Sequence, residues 1–208
     1  MIRSLRKTSG RTARFFENSL ACRAPDRQHA VVAWGLVASA VWITANLVGD
    51  QNGNELALAG LYLLGILAAV CAIDARYGII PDSLVVALAV GGLIQTYLSG
   101  HGGVLQRGLE ATAVFAMTSL FRAIYRWARG HNGLGFGDVK FVTAAVFWIG
   151  IQGIPGLLLV AVLSALASLV ILRAEGYVLH GKQAISFGPH LAIGLWAIWI
   201  AGPLQFVL

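Results

Sequence analysis

Charged side chains are scarce in this chain. Asp, Glu, Lys and Arg make up 12% of its 208 residues, whereas a soluble domain has about 25%. So few charges cannot cover a water-facing surface of this size, which excludes an ordinary soluble protein. Hydrophobic residues reach 58%, and the mean hydropathy is +0.76. Because lipid cannot satisfy backbone polar groups, this composition predicts an all-α, polytopic membrane helix bundle.

Cysteine is nearly absent, with only Cys22 and Cys71, and the sequence contains no C-x-x-C. Two distant cysteines do not form the framework of a disulfide-rich domain, and they lack the spacing of a zinc site. We therefore expect two free thiols and no metal.

Long apolar runs are what the chain does have, and we predict seven membrane spans from them. The fifth and sixth runs are almost continuous, and the segment from Gly150 to Gly156 between them reads as a tight hairpin. This division gives a basic tail at 1–28, an extra helix and loop at 29–55, and a six-helix core at 56–208. The predicted spans are 30–48, 56–73, 83–98, 105–123, 138–152, 154–172 and 188–206.

The basic residues indicate how the bundle is oriented. With seven spans and a cytosolic N-terminus, 14 of the 15 Lys and Arg residues lie on the cytosolic side, and Arg107 alone lies opposite. We expect Arg107 to pair with Glu110, three residues away on one helix. The net charge of +6 thus needs no nucleic-acid partner. The cytosolic basic stripe Arg122, Arg126 and Arg129 instead suits the anionic headgroups of a bilayer.

Two aspartates beside apolar runs, Asp74 and Asp138, are the main candidates for chemistry, since a carboxylate near hydrocarbon is costly and usually functional. The predicted topology brings both to the cytosolic face. Two carboxylates sharing a site cannot both ionise easily, so one could activate a water while the other donates a proton. Neither a metal nor a covalent nucleophile is needed for that hydrolysis.

The residues around the aspartates have expected roles of their own. Gly135 and Gly137 are expected to let a substrate backbone come close, and Pro81 to keep the loop after Asp74 from staying helical. Asp82 reads as a helix cap, and Lys140 as a side chain that extends to the cytosolic interface.

Three ordered motifs carry a family resemblance. Asp74 to Asp82 fits D-x-x-x-x-x-[IL]-P-D, and Gly135 to Lys140 reads G-F-G-D-V-K. The segment from Ile185 to Gly194 is similar to P-F-G-P-x-L-A-x-G, with Ser186 where proline is common and His190 where an aromatic residue is common. Together the motifs resemble the type IV prepilin peptidase family, which are polytopic aspartic proteases of the G-x-G-D type.

The resemblance implies that Asp74 and Asp138 are the catalytic dyad, and it implies no cofactor. It also implies a location in the bacterial cytoplasmic membrane and, as substrates, prepilins or pseudopilins that lose a basic leader at the cytosolic face. Long family members carry paired C-x-x-C motifs and also methylate the new N-terminus, so this chain resembles the peptidase-only form. The other motif residues are expected to shape the site or bind substrate: Pro81, Asp82, Gly135, Phe136, Gly137, Lys140, Gly188 and Pro189.

Two other functions stay open at this point. A presenilin-like intramembrane protease also has a G-x-G-D motif, although the Tyr-Asp and Pro-Ala-Leu of that family do not occur here. A proton-coupled transporter could use the two aspartates as a relay, but it would call for polar residues through the bundle. For His190 a structural role is expected, because the dyad already supplies an acid and a base.

Overall fold

The computed structural model describes residues 53–99, 103–130, 134–174 and 186–202, so the predicted tail and first span lie outside it. All regular structure in these ranges is helical, which confirms the all-α prediction. The five helices are α1 (Gly53–Tyr77), α2 (Asp82–Ser99), α3 (Val104–Arg129), α4 (Phe136–Ala174) and α5 (Gly188–Ala201).

Helix α1 ends one turn later than the apolar run at 56–73 indicates. It continues through Tyr77 and stops at Gly78, whose φ of 68° lies in the left-handed region that favours glycine. The Gly78 N–H donates to the Asp74 carbonyl at 2.7 Å. Asp74 therefore lies inside the last turn of the helix, where its side chain is held by regular backbone.

Helix α2 begins immediately after Pro81. The Pro81 carbonyl accepts the N–H of Val85 at 3.3 Å, which makes proline the capping residue and leaves Asp82 as the first helical residue. The expectation that Asp82 caps this helix is therefore wrong. Proline suits the position because it ends the preceding loop and its carbonyl stays free to accept.

Helix α4 contains one non-helical residue, Gly150, with φ 67° and ψ 171°. It separates a first half, 136–149, from a second half, 151–174. The first half lies along α2, where the Trp148 indole Nε1 donates to the Leu88 carbonyl at 2.7 Å.

The two halves of α4 form a hairpin. Near its start, Lys140 contacts Asp82 at 2.7 Å, at the same end of the bundle as Asp74. Far along the second half, Ser164 Oγ lies 2.9 Å from His190 Nδ1 at the start of α5, which is also the Asp74 end. The chain must therefore reverse direction between the halves. This contact pattern confirms the predicted hairpin, but its turn is one residue rather than seven.

Glu110 of α3 stabilises this turn by hydrogen bonding. Its Oε2 accepts from Arg107 Nη1 at 3.0 Å, as predicted, and from the Ile151 N–H at 3.2 Å. Ile151 opens the second half, so the carboxylate satisfies a helix N-terminal donor where negative charge is favourable. Glycine suits position 150 because its φ of 67° lies in the left-handed region, whereas a Cβ there would meet only the movable guanidinium end of Arg107.

Two described segments are long and apolar enough to cross a membrane, Leu58–Tyr77 and Phe136–Ile171. Two shorter helices, Asp82–Leu98 and Gly188–Ala201, are also apolar. Helix α3 is present at the predicted fourth span but is not among these candidates, since polar and basic residues punctuate it.

The buried core lies where α4 packs against α2, α3 and α5, with α1 closing it against α5 and α2. Its side chains are almost entirely aliphatic, which suits close helix packing. The largest side chains with no appreciable exposure are Leu63, Leu67, Val70, Leu88, Val114, Val139, Phe141, Val146, Leu157, Leu191 and Leu195.

Helix α5 packs closely against the backbone of α4 at Gly194. A Cβ there would overlap the Leu157 carbonyl oxygen and lie 3.4 Å from the Ala161 amide nitrogen. We expect Gly194→Ala to lower the free energy of unfolding by about 1–3 kcal/mol, the usual cost of overpacking. Thermal unfolding in detergent measures this.

Gly65 supplies the control for that substitution. It lies in α1, and a Cβ added to it would have no neighbouring atom within 4 Å. Gly65→Ala should leave stability unchanged or raise it by about 0.5–1 kcal/mol, because alanine is the better helix former. Equal stability of Gly194→Ala and the unmodified chain would contradict the close helix contact.

Candidate active site

Asp74 is buried, with 5% of its surface exposed. Its Oδ2 accepts two hydrogen bonds from the segment that opens α5, one from Ser186 Oγ and one from the Gly188 N–H at 2.8 Å. The first and third motifs therefore meet at this carboxylate, although Gly188 is 114 residues away in sequence.

Gly188 is the residue that permits this contact. A Cβ there would lie 2.5 Å from Asp74 Oδ2 and 2.8 Å from its Cγ, closer than real Cβ atoms come to other heavy atoms. Pro189 follows in the first turn of α5 and is buried, where a missing N–H costs nothing. Gly188 thus lies directly against the Asp74 carboxylate, and Pro189 continues the same helical turn.

Asp138 is the third residue of α4 and is half-buried. A Cβ on Gly135 would lie 2.9 Å from Asp138 Oδ2, so the carboxylate folds back over the glycine. A Cβ on Gly137 would lie 3.3 Å from the Ile80 Cβ. Gly137 thus lets α4 approach the loop after Asp74, and the opening for substrate that the sequence indicated there stays a prediction.

The segments that carry the two aspartates pack against each other at one end of the bundle. A Cβ on Gly137, the neighbour of Asp138, would touch Ile80 in the loop after Asp74, and Lys140 pairs with Asp82. The expectation that the two carboxylates share one proton, so that one accepts a proton while the other donates it, stays a prediction.

Lys140 and Asp82 form an ion pair that was not predicted. Lys140 Nζ lies 2.7 Å from Asp82 Oδ1 and 4.8 Å from the centre of the Phe136 ring. The pair joins the start of α4 to the start of α2, and so joins the second motif to the first. The two residues thus link these segments, and the part in the site expected for them stays a prediction.

Phe136 lies at the outer side of this arrangement and is 45% exposed. Besides Lys140, the Arg122 Cζ lies 5.4 Å from the centre of this ring. The Phe115 ring packs edge-to-face against it, with the two ring centres 6.5 Å apart. Arg122 Nε also donates to the Leu134 carbonyl at 3.0 Å. These contacts tie α3 to the glycine-rich approach to Asp138.

His190 is buried in the first turn of α5. Its Nδ1 lies 2.9 Å from Ser164 Oγ. This contact agrees with the structural role expected for His190, because it fixes α5 to the second half of α4.

The hydrogen bond between Ser186 and Asp74 is a second contact that the sequence did not predict. The sequence marks Ser186 only as a serine where proline is common. Its separation of 112 residues from Asp74 leaves no local signal of the hydrogen bond. Within the described ranges no three His, Cys, Asp or Glu side chains come together as metal ligands do.

Comparison with known proteins gives independent evidence of the family. The profile described as "Type IV leader peptidase family" matches residues 61–172, which contain the first two motifs, while the third lies beyond them. No solved structure matches the chain significantly.

Three curated relatives carry the name prepilin leader peptidase/N-methyltransferase. That of Neisseria gonorrhoeae is 30% identical over 171 residues, which cover 82% of this chain and 58% of the relative. That of Dickeya chrysanthemi is 34% identical over 136 residues, 65% of this chain and 48% of the relative. That of Aeromonas hydrophila is 33% identical over 149 residues, which cover 70% of this chain and 50% of the relative. The chain thus spans about half the length of these relatives, and by the profile match it belongs to the type IV leader peptidase family.

Proposed function

We propose that this chain is a membrane aspartic endopeptidase that removes the basic leader from type IV prepilins or pseudopilins. The observation that supports the proposal is that the segments carrying the two aspartates pack together: Gly137, beside Asp138, lies against Ile80 in the loop after Asp74, and Lys140 pairs with Asp82. Family membership and the name prepilin leader peptidase of its relatives supply the substrate class. The core at 56–208 would hold the whole dyad.

The chemistry needs only the dyad, a water and an extended peptide. The ionised carboxylate takes a proton from the water as its oxygen attacks the scissile carbonyl carbon. The protonated carboxylate gives its proton to the carbonyl oxygen, which yields a neutral tetrahedral intermediate. Collapse of that intermediate breaks the C–N bond, the departing nitrogen is protonated by the first carboxyl group, and the second recovers its proton from the intermediate.

The proposed site faces the cytosol, from a chain that crosses the bacterial cytoplasmic membrane seven times with its N-terminus inside. The 14-to-1 distribution of Lys and Arg supports this orientation. Arg107, the single outer basic residue, lies at the Gly150 turn, at the opposite end from the Lys140–Asp82 pair.

The basic end of α3 is proposed to rest on anionic headgroups. Arg126 and Arg129 are exposed in its last turns, and Trp127 between them is 87% exposed. Basic residues beside tryptophan are typical of a helix end at the interface of a charged bilayer. Nucleic acid is not needed to explain them.

Co-expression with a prepilin tests the proposed function. In a host without other leader peptidases, the chain should convert a type IV prepilin to a shorter product that lacks its basic leader. Immunoblotting resolves the two forms, and a strain without the chain is the control. A prepilin that stays full length beside a well-expressed chain would contradict the proposal.

A further inference from the structure

The two groups that donate hydrogen bonds to Asp74 are of different kinds. The Gly188 donor is a backbone N–H, which every residue except proline supplies, but the Ser186 donor is a side-chain hydroxyl. Proline, the residue common at this place in the resembling family, has neither a hydroxyl nor an N–H. The contact between Ser186 and Asp74 therefore depends on which side chain stands at position 186.

We propose that Ser186 is a positioning residue for Asp74, an inference that rests on the proposed function. The carboxylate is buried, and both donors end on the same oxygen, Oδ2. Two donors from the same segment restrict the orientation of the carboxylate group, which would otherwise rotate about its last side-chain bond. Hydrogen bonds to a charged group are also among the stronger ones in proteins.

The occupied oxygen decides which oxygen is left for chemistry. With two donors directed at it, Oδ2 serves as an acceptor, so a proton shared within the dyad has to lie on Asp74 Oδ1 or on Asp138. No hydrogen bond to Oδ1 is formed within the described ranges. Oδ1 is therefore the oxygen of Asp74 that is available to a water or to Asp138.

The donors are themselves held in place. The Phe187 carbonyl accepts the N–H groups of His190 and Leu191 at 3.1 Å each, which fixes the start of α5 directly after Ser186. His190 in turn contacts Ser164 of α4. The hydroxyl of Ser186 is thus carried by a segment anchored to the same helix that carries Asp138.

Steady-state kinetics of the purified full chain on a prepilin substrate test the inference. Ser186→Ala removes the hydroxyl and should lower kcat about tenfold or more, the loss expected for a hydrogen bond to a charged group. KM should stay within about twofold, because Ser186 contacts Asp74 and not the substrate. Ser186→Thr keeps the hydroxyl and should restore kcat to within about threefold of the unmodified chain.

Ser119 offers a matched control. Its Oγ is buried in α3 and has no hydrogen-bond partner among the residues that the structure describes, so Ser119→Ala removes a hydroxyl that holds none of the described site residues and should leave kcat unchanged. Unchanged kcat in Ser186→Ala would overturn the inference. So would loss of activity in Ser186→Thr equal to that in Ser186→Ala, since the hydroxyl would then not be the cause. Absence of cleavage by the unmodified chain would instead contradict the proposed function.

Discussion

Replacing either Asp74 or Asp138 by alanine should abolish leader cleavage while the protein still accumulates in the membrane. In the proposed mechanism each carboxylate has a separate part in proton transfer, and neither can take over the part of the other. Loss of a general acid or base costs about 100-fold to 10,000-fold in rate. Asp74→Asn should fail as well, because an amide accepts hydrogen bonds but cannot take a proton from water.

The double variant gives a stricter test. If the two aspartates act as one unit, the chain lacking both should be about as inactive as either single variant, because losses within a catalytic unit are not additive. Rates are compared at matched protein level in membranes. Two single losses that multiply in the double variant would indicate independent contributions and contradict a dyad.

Asp82 is the control carboxylate for this series. It lies near the same end of the bundle, but its side chain is 72% exposed and paired with Lys140. An exposed ion pair contributes at most about 1 kcal/mol, so Asp82→Ala should lower cleavage by no more than about fivefold. A loss as large as that of Asp74→Ala would place Asp82 in the chemistry.

Gly188→Ala is expected to give the second large effect. The added methyl carbon would lie 2.5 Å from Asp74 Oδ2, so the carboxylate and the start of α5 cannot both keep their positions. Displacement of a catalytic group by about 1 Å can cost on the order of 100-fold in rate. Cleavage by Gly188→Ala should fall by that order in the co-expression assay and in purified form.

Gly108 provides a matched glycine. It lies in α3, and a Cβ there would have nothing within 4 Å. Gly108→Ala should cleave like the unmodified chain, which separates a local clash from a general sensitivity to losing glycine. Normal cleavage by Gly188→Ala would show that Asp74 does not need the position it has in this structure.

The helices themselves could be predicted because their signal is local. Long apolar runs and few charges indicate membrane helices, and each described helix coincides with a predicted run or, in α4, with two. Their ends were less accurate, since they depend on single residues. Gly78 stops α1 a turn beyond the apolar run, and Gly150 alone makes the turn that a run of glycines and a proline indicated.

The partners of the site residues could not be predicted in the same way. The two aspartates stand out because a carboxylate beside hydrocarbon is unusual wherever it occurs. Ser186 and the Lys140–Asp82 pair carry no such signal, because serine, lysine and aspartate are ordinary at helix ends. Their contacts span 112 and 58 residues, so they follow only from the packing of the whole bundle.

Mass spectrometry of a prepilin incubated with the purified chain tests the central claim most directly. The dyad account predicts a single cut that separates the basic leader from the rest of the prepilin. It predicts no product from the variant in which both Asp74 and Asp138 are alanine. An intact prepilin after incubation with the unmodified chain, or the same product from the double variant, would contradict it.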